Sequence, residues 1–183
     1  MLEFQKMPGH LIRRLHQISV SVFASQTAGA GFDVTSVQFA ALSTIKAYPG
    51  IDQAGLAGLI AYDRVTIGGV VDRLVQKGYV DRQVSLRDRR ARELFITKQG
   101  AAVLRAMAPI VRDVQGEILR GLSAADRKSF IALLRKATEA ANEMSRALFM
   151  VCSWTGRPKI DPPYFSPFGD IAEWTGRSDI AQP

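Results

Sequence analysis

The 183-residue chain is short of the side chains on which most catalytic and metal chemistry depends. It has one cysteine, Cys152, and two histidines, His10 and His16. A lone cysteine cannot close a disulfide within the chain and fits a reducing compartment, so a cytoplasmic protein is expected. No run of about 18 apolar residues occurs, so no membrane-spanning helix is expected. The N-terminus lacks the basic flank, apolar core and small-residue cleavage site of a signal peptide. There is no P-loop, no Gly-x-Ser-x-Gly turn and no paired-histidine metal motif. Carboxylates are plentiful, but none is singled out by spacing. No cofactor, no metal and no enzymatic activity are therefore expected.

What is present is core-forming material and positive charge. Apolar residues make up 47% and charged residues 22% of the chain, ordinary values for a globular protein. The formal net charge is +7. From Phe149 onward the balance is −1, which leaves about +8 on the first 148 residues. Within Tyr62–Arg92, eight Arg or Lys face four Asp, so one-sixth of the chain carries about half of the net charge. A basic segment of this kind suits a polyanion, although charge also serves solubility.

Hydrophobic periodicity divides the chain into helices and one alternating segment. After Pro8-Gly9, the residues Leu11, Ile12, Leu15, Ile18, Val22 and Phe23 recur at helical steps, and Gly29 and Gly31 end that helix. Asp33 or Thr35 caps a second helix with Val37, Phe39, Leu42 and Ile45 on its apolar face, stopped by Tyr48-Pro49-Gly50. Asp52 caps a short helix from Gln53 to about Ile60. Asp63 caps another that reaches Lys77 and closes at Gly78. The period then changes to alternation, with one short strand through Tyr79, Val80, Arg82 and Val84 and a second from Arg92 to Ile96. Thr97 opens a long helix toward Leu119, in which Pro109 is expected to introduce a kink or irregularity. Ser123 opens a last helix expected to reach about Leu148. Pro158, Pro162, Pro163 and Pro167 forbid long helices in the tail, which also repeats Trp-Thr-Gly-Arg at Trp154 and Trp174. The tail either packs its tryptophans on the body or covers a cavity or partner surface.

Helix, helix, helix, strand, arginine loop, strand, helix is the order of a winged helix-turn-helix. The expected fold is therefore mainly α with a small β-hairpin wing and long flanking helices. A helix that enters the major groove must be slim at its start and oriented by a preceding helix across a tight turn. Asp52–Lys77 meets that requirement. Leu56, Leu59 and Ile60 supply the apolar face of the first helix, and Val70, Val71, Leu74 and Val75 that of the second. Arg64 and Thr66 are placed to reach base edges or phosphates, and Ile67 to touch a thymine methyl. Gly68-Gly69 weakens the helix by roughly 1 kcal/mol per glycine relative to alanine. Close approach to DNA and internal packing both account for that cost. The loop carrying Arg87, Asp88, Arg89 and Arg90 suits insertion of guanidinium groups into the minor groove, with Asp88 pairing a neighbouring arginine to fix its shape.

From Leu56 to Gly100 the sequence resembles the MarR family of bacterial regulators. The resemblance rests on Asp63-Arg64-Val65-Thr66, on the run from Val71 to Val80, on Asp88-Arg89-Arg90-Ala91-Arg92, and on the run from Leu94 to Gly100. It extends through the flanking helices over roughly residues 8 to 148. It implies that Arg90 enters the minor groove and that Asp88 braces the wing. Relatives often place a larger, DNA-contacting residue where Gly69 stands, so contacts are expected from Arg64, Thr66 and Arg73 instead.

The same resemblance implies a homodimer on a near-palindromic double-stranded operator, and a repressor of a catabolic operon released by a small aromatic carboxylic acid or its derivative. Two recognition helices must meet major grooves about 34 Å apart, which a two-fold dimer provides. His10, Arg13, Arg14 and His16 on the first helix, with Phe39 and Ser43 on the second, are the candidate effector residues, since guanidinium grips a carboxylate at both oxygens. Solvation or interchain contact accounts for the same side chains. The expected division is a domain over 1–148, with a DNA-binding lobe at about 52–100 between dimerisation helices at about 8–48 and 98–148, then a tail over 149–183. A non-specific architectural DNA-binding protein is the alternative reading of fold and charge.

Overall fold

The computed structural model describes residues 2–85 and 92–141. After a single 3-10 turn at Glu3–Lys6, the elements are α1 (Pro8–Gly29), α2 (Ser36–Ala47), β1 (Ile51–Asp52), α3 (Gln53–Leu59), α4 (Arg64–Gln76), β2 (Val80–Val84), β3 (Arg92–Ile96), α5 (Lys98–Ile118) and α6 (Ala124–Ala140). This is the helical, winged architecture expected from the sequence. The expected tail and the continuation of the last helix toward Leu148 lie outside the described residues.

Local capping chemistry sets the boundaries. The side chains of Thr35, Asp52, Asp63, Thr97 and Ser123 each accept a hydrogen bond from the backbone N–H three residues on, satisfying one of the donors a helix start leaves open. Thr35, not Asp33, caps α2, and Gln38 reaches back to the Thr35 amide to complete a capping box. At the other end of α4, the Tyr79 amide donates to the Leu74 carbonyl and the Gly78 amide to that of Val75, both at 2.9 Å, with Gly78 at φ +71°. That is a Schellman closure, and it throws the chain directly into β2.

The sheet has three strands, in the order β1-β3-β2, all antiparallel neighbours. The third strand, β1, was not apparent in the sequence because two residues carry no alternation. It is fixed by Ile51 opposite Leu94 and by the Gly50 amide donating to the Leu94 carbonyl at 2.9 Å. In the wing, Val80 to Val84 pair with Ile96 to Arg92.

One core runs through the described residues. Leu42 and Ile45 of α2, Leu56 of α3, Ile67, Val71 and Leu74 of α4, Leu94 of β3 and Met107 of α5 are fully buried in it. Phe23 near the end of α1 packs against Phe39, their ring centroids 6.2 Å apart. Val75 departs from the expected face and is exposed, because it lies at the margin of the buried stripe, about 90° around the helix from its centre between Ile67 and Leu74. Pro109 sits at an exposed position inside α5, and the helix continues past it to Ile118.

The first and last described helices behave differently from this body. On α1, only Phe23 and Thr27 are buried, and the expected apolar residues Leu11, Ile12 and Ile18 are exposed. On α6 no residue is buried, and Leu133 and Leu134 face solvent. Among the described residues, no single helix is long and apolar enough to cross a membrane.

Candidate nucleic-acid interface

Between α3 and α4 the chain turns through 109°, within the range by which a helix-turn-helix sets its second helix apart from its first. The turn is made by Ala61 at φ +54°, the one non-glycine residue with positive φ among those described. The Tyr62 amide donates to the Ala57 carbonyl at 3.0 Å across it. α3 is buried through Leu56, Ala57 and Gly58, so it serves as the buttress. α4 buries Ile67, Val70, Val71 and Leu74 and leaves Arg64, Val65, Thr66, Gly69, Asp72, Arg73 and Gln76 to solvent.

The first turn of α4 is chemically defined. The Thr66 amide donates to Asp63 Oδ1 at 2.8 Å and the Thr66 hydroxyl donates to Asp63 Oδ2 at 2.5 Å. The hydroxyl bond first, and the amide bond second, hold the Asp63 carboxyl below its ordinary value. An ionised carboxylate only accepts, so the Thr66 hydroxyl directs its hydrogen at Asp63 and offers the solvent a lone pair and a methyl group. Arg64 and Arg73 stand exposed on either side, and among the described residues no ion pair involves them.

Other charges nearby are committed to holding the interface in shape. Arg82 of β2 pairs with Asp72 of α4, tying the wing to the recognition helix. Lys77, just past α4, pairs with Asp33 at 2.8 Å and also donates to its backbone carbonyl, tying the helix to the α1–α2 connection. The Thr97 hydroxyl donates to the Gly78 carbonyl at 2.7 Å, and the Ser85 hydroxyl to Glu93 at 2.7 Å, closing the base and the outer end of the wing.

Several expected site residues are placed differently from their sequence-based roles. Ile67 is 0% exposed and belongs to the core, so it does not reach a base. The residue with an apolar side chain in solvent is its neighbour but one, Val65, at 88% exposed. Sequence reading missed it because an apolar residue two positions from Ile67 carries no mark of which one faces inward. A wheel anchored on Val70, Val71 and Leu74 separates them. Arg87, Asp88, Arg89 and Arg90 lie outside the described residues.

The six expected effector residues do not form one cluster within a single chain. Phe39 is 6% exposed and packed on Phe23, so it is a core residue, and Ser43 donates its hydroxyl to the Phe39 carbonyl at 2.9 Å. His10 lies thirteen residues before Phe23 on α1, about 20 Å along the axis at 1.5 Å per residue. It rests edge-on against Phe4, centroids 5.1 Å apart. Arg13, Arg14 and His16 are exposed, with Arg13 hydrogen bonded to Gln17 at 3.2 Å. Arg14 borders an open depression of about 340 Å³ with Gln17, Ile18, Ser21 and Val22. Among the described residues, no group of His, Cys, Asp or Glu is arranged to hold a metal ion.

Comparison with known proteins gives one answer. The model of the MarR family matches residues 34–91. The chain is 33% identical over 132 residues to the HTH-type transcriptional repressor NicR of Pseudomonas putida, spanning 72% of this chain and 82% of that protein. Among solved structures, the PcaV transcriptional regulator of Streptomyces coelicolor in complex with its natural ligand superposes with a TM-score of 0.70 at 30% identity, covering 77% of this chain and 98% of that one. BpsR of Bordetella bronchiseptica, whose DNA binding is regulated by 6-hydroxynicotinic acid, superposes with a TM-score of 0.70 at 26% identity, covering 75% and 97%. A helix-turn-helix bent at Ala61, a wing tied to it through Arg82, and relatives matched over four-fifths or more of their length place this chain in the MarR family of transcriptional regulators.

Proposed function

We propose that the chain works as a homodimeric repressor that reads a near-palindromic operator and releases it when a small aromatic carboxylic acid binds. The observation that carries the DNA-reading part is α4 itself. It is capped by Asp63, turned 109° from its buttress, and bare of core contacts at Arg64, Val65, Thr66 and Arg73. The dimeric part is supported by the apolar side chains that α1 and α6 leave in solvent, since an amphipathic helix is stable only when its apolar face is covered. A second copy related by a two-fold axis covers it and sets two recognition helices on successive turns of the duplex.

The effector part is supported by the regulation of BpsR by 6-hydroxynicotinic acid and by the ligand-bound PcaV. In this chain Arg14, beside Ile18 and Val22, offers a guanidinium at the edge of an apolar depression, the pairing an aromatic carboxylate requires. The depression is open in one chain, and the dimer partner is the natural source of its missing wall. The acid must bind the DNA-released arrangement of the two lobes more tightly than the DNA-bound one, because only differential affinity shifts the equilibrium.

Fluorescence anisotropy tests both parts. The duplex is one selected by the wild-type protein from a random-sequence pool, titrated with and without 6-hydroxynicotinic acid and simple benzoic acids. The wild-type protein is expected to bind the selected duplex about 10³-fold or more tightly than random DNA. Arg64→Ala should lose about 10- to 100-fold. Arg14→Ala should keep DNA affinity and lose the response to acid. Equal affinity for selected and random duplexes makes the protein an architectural DNA binder instead. Failure of every acid to weaken binding removes the effector assignment alone.

A further inference from the structure

The recognition helix carries one feature that capping, charge and core packing leave unused. Val65 stands 88% exposed in its first turn, a β-branched apolar residue where neither helix propensity nor burial favours one. At 100° per residue, Val65, Gly69, Asp72 and Gln76 share the centre of the exposed face, opposite the buried Ile67, Val70, Val71 and Leu74. Arg64 and Thr66 flank Val65 on its two sides.

Gly69 adds a second, independent observation. A side chain at that position would lean toward the helix N-terminus, over the turn that holds Val65. Glycine leaves this space vacant, and a Cβ built there meets nothing within 4 Å. Packing among the described residues therefore does not explain the glycine. The isopropyl group of Val65 is reachable from the helix side as well as from its tip. The charges around it suit a polyanion: Arg64 and Arg73 are exposed, Asp72 is paired with Arg82, and Asp63 is engaged by Thr66.

We infer that Val65, with the vacancy at Gly69, is a specificity-determining contact that reads the 5-methyl group of a thymine in the major groove. This rests on the DNA-reading function proposed above. Thymine is the one base that presents an apolar group on the major-groove edge. The contact replaces the one that the buried Ile67 does not make.

The test couples the protein and the base. The wild-type protein and Val65→Ala are each titrated against the duplex that the wild-type protein selects from a random-sequence pool, with each thymine replaced in turn by deoxyuridine. Deoxyuridine lacks only the methyl group. One thymine in each half-site is expected to be sensitive, its replacement weakening wild-type binding about four-fold, the worth of one buried methyl-sized group. Val65→Ala should bind the parent duplex about four-fold or more weakly and show no further loss on that replacement. Gly69→Leu, which fills the vacancy, should also abolish the sensitivity, while circular dichroism verifies its helix content. No sensitive thymine, or undiminished sensitivity in Val65→Ala, overturns the assignment while DNA reading stands. A wild-type protein that enriches no sequence from the pool overturns the DNA-reading function, and the assignment with it.

Discussion

The central lobe, from β1 to the start of α5, and the outer helical segments, from Leu2 through α1 and again α6, treat apolar surface in opposite ways. Of the twelve large apolar side chains exposed among the described residues, nine lie in the outer segments: Leu2, Phe4, Met7, Leu11, Ile12, Ile18, Val20, Leu133 and Leu134. Among its described residues the lobe leaves out Val65, Val75 and Val84, on α4 and the wing. The lobe thus completes its core within one chain and leaves exposure to α4 and the wing, the elements proposed to meet DNA. The outer segments are unfinished in one chain, and their exposed apolar residues recur along helices, as an interhelical seam requires.

The contrast is broken most forcefully from inside the lobe. Gly100 lies in the first turn of α5, capped by Thr97, and its backbone rests on the root of the wing. A Cβ there would overlap the Tyr79 carbonyl oxygen and stand 2.9 Å from its carbon. Backbone cannot rotate away as a side chain does. Gly100→Ala is expected to destabilise the fold by about 3 kcal/mol, the upper end of overpacking costs. Urea denaturation reads this as a lower midpoint at unchanged slope. A midpoint equal to that of the wild-type protein means the wing root is looser than the contact implies.

The outer helices are tested by association, with the lobe as internal control. Ile12→Asp places a carboxylate at a position 61% exposed in the single chain. At a two-fold interface it would be buried twice, facing its own copy or apolar neighbours. The dimer dissociation constant is expected to rise about 30-fold, corresponding to about 2 kcal/mol. Sedimentation equilibrium measures that rise, and the helix content of the lobe should be unchanged. Unaltered association moves the interface away from this part of α1.

These two regions were also unequally legible in the sequence. Caps at Asp52, Asp63, Thr97 and Ser123 are local side-chain chemistry, and each stands where the helix begins. The wing strands follow from alternation between Val80 and Ile96. β1 was hidden, because its pairing with β3 depends on residues more than forty positions away and not on a local pattern. Ile67 and Val65 are interchangeable by composition, and only their phase relative to Val70, Val71 and Leu74 decides which is core. The effector residues were the least legible. Phe39 has the chemistry of a ligand-stacking ring, yet its place beside Phe23 makes it core. Arg14 keeps its candidacy because Ile18 and Val22 recur one and two turns along the same face.

The smallest expected effect lies at the joint of the helix-turn-helix and sharpens what the lobe sacrifices for its geometry. Ala61 holds φ +54°, in the left-handed region where a Cβ crowds the following carbonyl. The closing bonds from Ala61 to Gly58 and from Tyr62 to Ala57 require that conformation, as Gly31 and Gly78 provide it at the ends of α1 and α4. Ala61→Gly removes the crowding, which costs about 1–2 kcal/mol, but it also frees the unfolded chain, which returns about half of that. The net expectation is a stabilisation of about 0.5–1 kcal/mol in urea titration, with DNA affinity unchanged because the 109° turn is preserved. A loss of stability would mean that the Ala61 methyl makes a compensating contact. Weakened DNA binding at unaltered stability would mean that the stiffness of this joint, rather than its angle alone, holds α4 ready for the groove.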